Sequence, residues 1–257
     1  MASLSCYFPV RECIVVGDIW RQILAVFFSG LLLSQLAHAS IILNGSRVIY
    51  EAEEREVNVK VSNVGVQPVV LQSWIDSGEV SQDPSLLKVP FLLMPALARV
   101  EAGQGQTLRL TYTGEPLPAE RESVYYLNVL EIPPKGSAAK NDSTLQLAFR
   151  TRVKLFFRPK GLAGSASDAP SKLVWSLKQS GQGWVVRCSN PSAYYVSMSE
   201  ISLVEGGSTK KIGEGMVAPG QQLDISLSGR PAGEVRIEYS SIDDYGAIRT
   251  GRSSLKP

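Results

Sequence analysis

Histidine and cysteine are the scarcest reactive side chains in this 257-residue chain, and their positions exclude whole classes of chemistry. The single histidine is His38, and two of the three cysteines, Cys6 and Cys13, also fall within the first 39 residues. There, Arg11 and Arg21 flank or precede an apolar stretch from Ile23 to Leu33, and Ala37-His38-Ala39 has the small-x-small pattern of a leader cleavage site. The stretch is shorter than the roughly 20 residues that span a bilayer, so it predicts export and cleavage after Ala39, with no stable membrane insertion. The chain that remains would have no imidazole, which excludes a Ser-His-Asp triad, a Cys-His dyad and a histidine-ligated metal. It would keep one thiol, Cys188, and so could form no internal disulfide; the fold must stand on its core. Cys188 shares a parity with Trp184 and Val186, which predicts a buried, inert thiol.

A strong charge bias is also missing. The formal net charge is +2, and the leader carries two basic and two acidic residues, so cleavage leaves that value in place. Such a small excess gives no ground for a nucleic-acid partner or an anionic membrane surface. There is no Walker loop, no G-x-G-x-x-G, no EF-hand loop and no cysteine pair at zinc spacing, so neither cofactor nor metal is expected. No window has a helical period, and no internal repeat is evident.

Strand periodicity fills the chain instead. Val57, Val59 and Val61 alternate up to Asn63, Val69 to Ile75 forms a second run, and Leu108, Leu110 and Tyr112 alternate again. Val124 to Ile132 is aromatic and β-branched before Pro133-Pro134 stops it. Lys160 to Ser171 is small, polar and Gly/Pro-bearing, the composition of a linker. Strands resume at Leu173–Leu177, Trp184–Cys188, Val196–Val204, Leu223–Leu227 and Val235–Tyr239. Short strands at this spacing predict an all-β fold of two β-sandwiches: residues 1–39 a leader, 40–160 a first domain, 161–257 a second.

The longest pattern runs from Leu145 to Pro159. Leu145, Leu147, Phe149, Val153, Leu155 and Phe157 share one parity, and Gln146, Ala148, Arg150, Arg152, Lys154 and Arg158 are on the other. A strand of about 15 residues is long against the usual five or six. It is either paired on both edges in a large sheet or it exposes an edge that attracts other chains.

This segment, with Ser46-Arg47-Val48-Ile49-Tyr50, Glu120 to Pro134 and Asn190-Pro191-Ser192-Ala193-Tyr194-Tyr195-Val196, resembles the periplasmic pilus chaperones of the chaperone–usher pathway, the PapD-like family. The resemblance runs from about Ile41 to about Thr250. It implies two immunoglobulin-like sandwiches set at an angle, boomerang-like, in a periplasmic protein. Such a protein binds and caps pilin or fimbrial subunits by donor-strand complementation and delivers them to an outer-membrane usher, without ATP or metal. By the same resemblance, Arg47 and Lys154 would anchor a subunit's terminal carboxylate; alone, they read as solvated surface cations. Strict alternation places Lys154 on the face opposite Phe149, so either a bulge changes parity or the lysine reaches the cleft from the other face.

Leu145, Leu147 and Phe149 match the residues of the family's strand that is lent to the subunit. Their other reading is a face turned into the chain's own core. If the edge is exposed, the free protein is expected to hide it by self-association. Glu122, Arg158 and Asp244 correspond to an interdomain ion cluster, in which the arginine would keep both carboxylates ionised. Asn190 to Val196 is expected to form part of the cleft wall. The modest loop Lys135 to Thr144 is nearer the type that serves rod-like pili than the type that serves thin fibres. The rival reading is a secreted two-sandwich module, carbohydrate-binding or adhesive, marked by exposed aromatics on a sandwich face. A hydrolase lacks a visible nucleophile–base pair.

Overall fold

The computed structural model describes residues 40–79, 83–134, 147–181 and 183–256. The expected leader, with Cys6, Cys13 and His38, therefore lies outside the described residues, as do Leu145 and the loop from Lys135 to Thr144.

Among the described residues the first half holds strands β1 (Ile41–Leu43), β2 (Arg47–Glu51), β3 (Val57–Asn63), β4 (Val69–Asp76), β5 (Phe91–Met94), β6 (Leu97–Val100), β7 (Gly105–Tyr112), β8 (Ser123–Ile132) and β9 (Phe149–Arg158). They form two sheets, ordered β1-β3-β7-β5 and β2-β9-β8-β4-β6. The alternating runs set which side chains turn inward. Val59, Val61, Leu108 and Leu110 come from one sheet, and Leu71, Leu127, Leu155 and Phe157 from the other, into one core. Each face contributes every second residue because successive strand side chains point to opposite sides.

The second half holds β10 (Val174–Ser180), β11 (Gly183–Ser189), β12 (Val196–Glu205), β13 (Ser208–Val217), β14 (Gln222–Leu227), β15 (Val235–Ile242) and β16 (Ile248–Ser254). Its sheets run β10-β11-β14 and β13-β12-β15-β16 and enclose Trp175, Val186, Ile201 and Ile237. Cys188 is fully buried in that core, and burial pushes its thiol pKa up to about 12, so the thiolate is scarce at neutral pH. Helix is confined to two 3-10 turns among the described residues, Pro84–Leu86 and Ala169–Lys172. The second lies in the stretch between β9 and β10.

Two strands of the second sandwich lack an apolar signature. β13 opens on four exposed residues, Ser208 to Lys211, and β16 is exposed over most of its length. Both are held by backbone ladders to a buried neighbour. On β16 the ring of Tyr239 lies across Gly251, where a Cβ would come within 2.3 Å of the ring's Cζ, so only glycine fits.

The long stretch is shorter than its pattern implies. β9 runs from Phe149 to Arg158, and Leu147 and Ala148 precede it outside any strand. The ladder to β8 supplies the reason, because its last pair is Glu131 with Phe149, one residue before β8 ends at Ile132.

Candidate functional site

β9 is the axis of the site. Its antiparallel register with β8 is unbroken from Ser123 opposite Phe157 to Glu131 opposite Phe149. There is no bulge, so Lys154 projects from the face opposite Phe149, Val153 and Leu155. That second face turns toward the other sandwich. Lys154 Nζ donates to Ser197 Oγ at 3.1 Å, and the Phe156 ring packs 5.7 Å from that of Tyr195.

The two sequence-predicted anchor cations meet across a strand pair. β2 runs parallel to β9 with Arg47 opposite Lys154. Arg47 Nη1 donates to the Ile242 carbonyl of the second sandwich at 2.8 Å, while its Nε is buried with no hydrogen-bond partner among the described residues. Burial pushes the Lys154 pKa down, and the neighbouring Arg47 charge adds to the shift. Burial also lowers Arg47, although Asp244, Asp243 and Glu122 partly offset it. Two like charges held partly out of water, with donor capacity unused, favour an incoming anion. A cavity of about 520 Å³ adjoins Arg47, bounded by Phe156, Tyr195, Ile242, Asp244 and Arg249.

The structure brings Glu122, Arg158 and Asp244 together. Arg158 Nε donates to Glu122 Oε1 at 2.8 Å, and its two terminal nitrogens donate to Asp244 at 2.9 and 3.1 Å. Burial opposes the arginine's charge, but the bonds to Asp244 and Glu122 outweigh it and raise its pKa. Glu122 Oε2 accepts from the backbone N–H of Tyr195 at 2.7 Å. The Glu122 side chain is 2 % exposed, and burial raises its pKa despite the bonds from Tyr195 and Arg158. Glu51 joins the cluster, accepting from Arg158 Nη1 at 3.0 Å, and the Tyr194 ring lies 5.4 Å from the guanidinium. Sequence reasoning missed Glu51, although it is two residues beyond Ile49 in the same run as Arg47.

Leu147 is 53 % exposed and Phe149 is 39 % exposed, so neither fills the core. β2 covers β9 only from Lys154 to Arg158. From Phe149 to Val153 the outer edge of β9 has no strand partner among the described residues. β9 is thus paired on both edges in its second half and open in its first. Beneath the open half is a polar brace that sequence reasoning missed. The fully buried Asp76 accepts from Arg152 Nε at 3.1 Å and from Arg152 Nη2, from Asn128 Nδ2 at 2.7 Å and from the Gly78 N–H at 2.7 Å. Burial opposes the Asp76 charge, but these donors outweigh it and lower its pKa. Arg150 bonds Asn128 Oδ1 and lies 5.0 Å from the Trp74 ring. The available signal was the pair of arginines two residues apart on one strand face; Asp76 itself reads as a turn opener. The exposed large apolar side chains among the described residues include two aromatic rings, Phe149 and Tyr245, and they form no aromatic row.

Comparison with known proteins adds to this geometry. Residues 40–163 match the family described as pili and flagellar-assembly chaperone, PapD N-terminal domain, and residues 168–253 match the pili assembly chaperone PapD, C-terminal domain. The chain is 40% identical over 244 residues to the chaperone protein FimB/FhaD of Bordetella pertussis, covering 92% of this chain and 98% of that one. The crystal structure of the Pseudomonas aeruginosa CupB2 chaperone superposes with a TM-score of 0.73 at 38% identity, over 83% of this chain and all of that one. The SafB chaperone of Salmonella enterica, solved in complex with the SafA pilin, is 29% identical with a TM-score of 0.71, over 85% and 97% of the two chains.

Proposed function

The chain belongs to the PapD-like pili-assembly chaperones, and from that premise we propose that it binds and caps pilin subunits in the periplasm by lending them β9 and hands them to an outer-membrane usher. The two sandwiches are assigned to residues 40–160 and 161–257, with 1–39 as the cleaved leader. The observation that carries the mechanism is the half-open strand, whose outer edge from Phe149 to Val153 has no strand partner among the described residues and leads directly to Arg47 and Lys154.

Each part has a physical task. The open edge supplies backbone donors and acceptors to an incoming strand, and the exposed Leu147 and Phe149 supply apolar side chains on one face of it. Each apolar side chain buried in a complex contributes about 1.5–3 kcal/mol before ordering costs. A subunit's terminal carboxylate between Arg47 and Lys154 would form short, charge-assisted bonds and fix the register in which the strands pair. Leu145 is assigned to the same row. Glu122, Arg158 and Asp244 hold the two sandwiches so that Arg47 and Lys154 keep their positions. Binding of this kind is stoichiometric and needs no cofactor.

The test is co-purification from the periplasm with pilin subunits expressed in the same cell. The unsubstituted chain should carry a small β-rich partner in equal amount, and folded Arg47→Ala should carry none. A folded Arg47→Ala chain that retains its partner would contradict the carboxylate anchor.

A further inference from the structure

A buried carboxylate near the far end of β8 has no part in the cleft. Glu131 is 7 % exposed, and none of the ion pairs among the described residues includes it. Across its ladders it pairs with Leu71 on β4 and Phe149 on β9, neither of which titrates. A carboxylate taken out of water without a cation is costly unless donors surround it. Here the donors come from Ser40 and Ile41. Ser40 N stands 3.1 Å from Oε2 and 3.4 Å from Oε1, Ile41 N donates to Oε2 at 3.2 Å, and the Ser40 hydroxyl donates to Oε1.

Position 40 is also seated by its surroundings. The Ser40 carbonyl accepts from Val64 N at 2.8 Å, and a Cβ on Gly65 would come within 2.5 Å of the Ser40 Cβ. The seat fits a small side chain with its backbone nitrogen aimed at the carboxylate.

Leader cleavage after Ala39 would change what that nitrogen is. Hydrolysis by a leader peptidase breaks the Ala39–Ser40 amide; the water's hydroxyl goes to the Ala39 carboxyl and its hydrogen to the Ser40 nitrogen. At neutral pH the new primary amine takes a further proton and becomes an ammonium. We propose that Glu131 is the receptor for the α-ammonium of Ser40, so that removal of the leader completes a buried ion pair. β1, beside Ser40, belongs to the β1-β3-β7-β5 sheet and Glu131 to the other, so the pair ties the two sheets of the first sandwich together. Maturation would then stabilise the same end of the sandwich from which β9 begins.

The test compares two purified chains, one beginning at Ser40 and one retaining Ala39, which displaces the ammonium by about 3.8 Å. Near pH 6 the Ser40 chain should be more stable by about tenfold in the unfolding equilibrium constant, equivalent to the ammonium's pKa being raised by about one unit when it replaces the neutral amide donor. Pairing raises the amine's pKa in the folded state, so this gain is complete below the unfolded value of about 7.7–8.0 and disappears as pH rises through the folded one. Glu131→Gln should erase the difference between the two chains. If that variant does not fold, the pH dependence of the gap in the two unsubstituted chains decides. Equal stability, a gap that does not change with pH, or a periplasmic chain whose N-terminal sequence starts elsewhere would each overturn the proposal.

Discussion

At the residue scale, Lys154 is a cation whose charge is disfavoured by burial and by Arg47 beside it. Its folded pKa lies below the unfolded value, so the charged lysine opposes folding at neutral pH, and stability should rise with pH through that folded value. Lys154→Met keeps the length of the side chain and removes the charge. We expect it to leave the free chain equally or more stable in urea, to abolish the alkaline rise, and to lose the co-purified subunit. A loss of stability above about 1 kcal/mol would mean that the lysine's bond to Ser197 matters more than its buried charge. The sequence names Lys154 and Arg47 only through a motif. What the motif omits is Ser197 and Ile242, which come from strands more than 40 residues away and whose contacts no local pattern encodes.

At the scale of the element, β9 and the residues leading into it carry two kinds of side chain with opposite tolerances. Leu147 is more than half exposed, whereas Leu155 on the same parity is fully buried. Leu147→Glu should change the unfolding free energy by no more than about 0.5 kcal/mol and still block formation of the subunit complex. Leu155→Glu places a charge in the core and should unfold the first sandwich. Urea titration of both variants, with co-purification of the first, checks this; unfolding by Leu147→Glu would return that side chain to the core and end the strand-donor assignment. The alternation of β9 was legible, since period-2 apolar spacing reports which residues share a face. It did not report where that face leaves the core. The switch occurs between Phe149, which is exposed, and Leu155, which is fully buried, close to where β2 begins to pair at Lys154. β13 and β16 were illegible for a related reason, because an edge strand held by backbone bonds needs few apolar side chains.

At the scale of the molecule, Arg158 is one of several side chains that bond across the two sandwiches, with Arg47, Lys154 and Glu122. It is 14 % exposed and shared by Glu122 at its own sandwich and Asp244 at the other. Arg158→Ala leaves Glu122 buried without its cation and should cost about 3–5 kcal/mol near neutrality. Glu122 already has a raised pKa from burial, and without the arginine it should climb further. A carboxyl with a raised folded pKa contributes most below its unfolded value of 4.5 and loses that contribution as pH rises through the folded one. The deficit of Arg158→Ala should therefore be smaller near pH 4.5 than near pH 7. Urea midpoints at the two pH values measure it, and a deficit that does not change with pH would place the cost outside Glu122. Gly246 adds a steric condition at the same contact: its φ is +83°, and a Cβ there would lie 2.6 Å from Ser46 Oγ of the first sandwich.

The sequence by itself determined the all-β class, the two cores and the buried state of Cys188, because each follows from short-range alternation and the hydrophobic effect. It also carried the motif residues that identify the family. Tertiary structure alone decided which face of β9 meets the second sandwich, since an unbroken register and a bulged one have the same residue pattern. It also decided that Asp76 braces two arginines, that Glu51 enters the Arg158 cluster, and that Glu131 meets Ser40. These are meetings of polar groups from distant strands. Hydrogen bonds and ion pairs depend on separations of about 3 Å, which chain folding sets and residue order along one strand does not reveal.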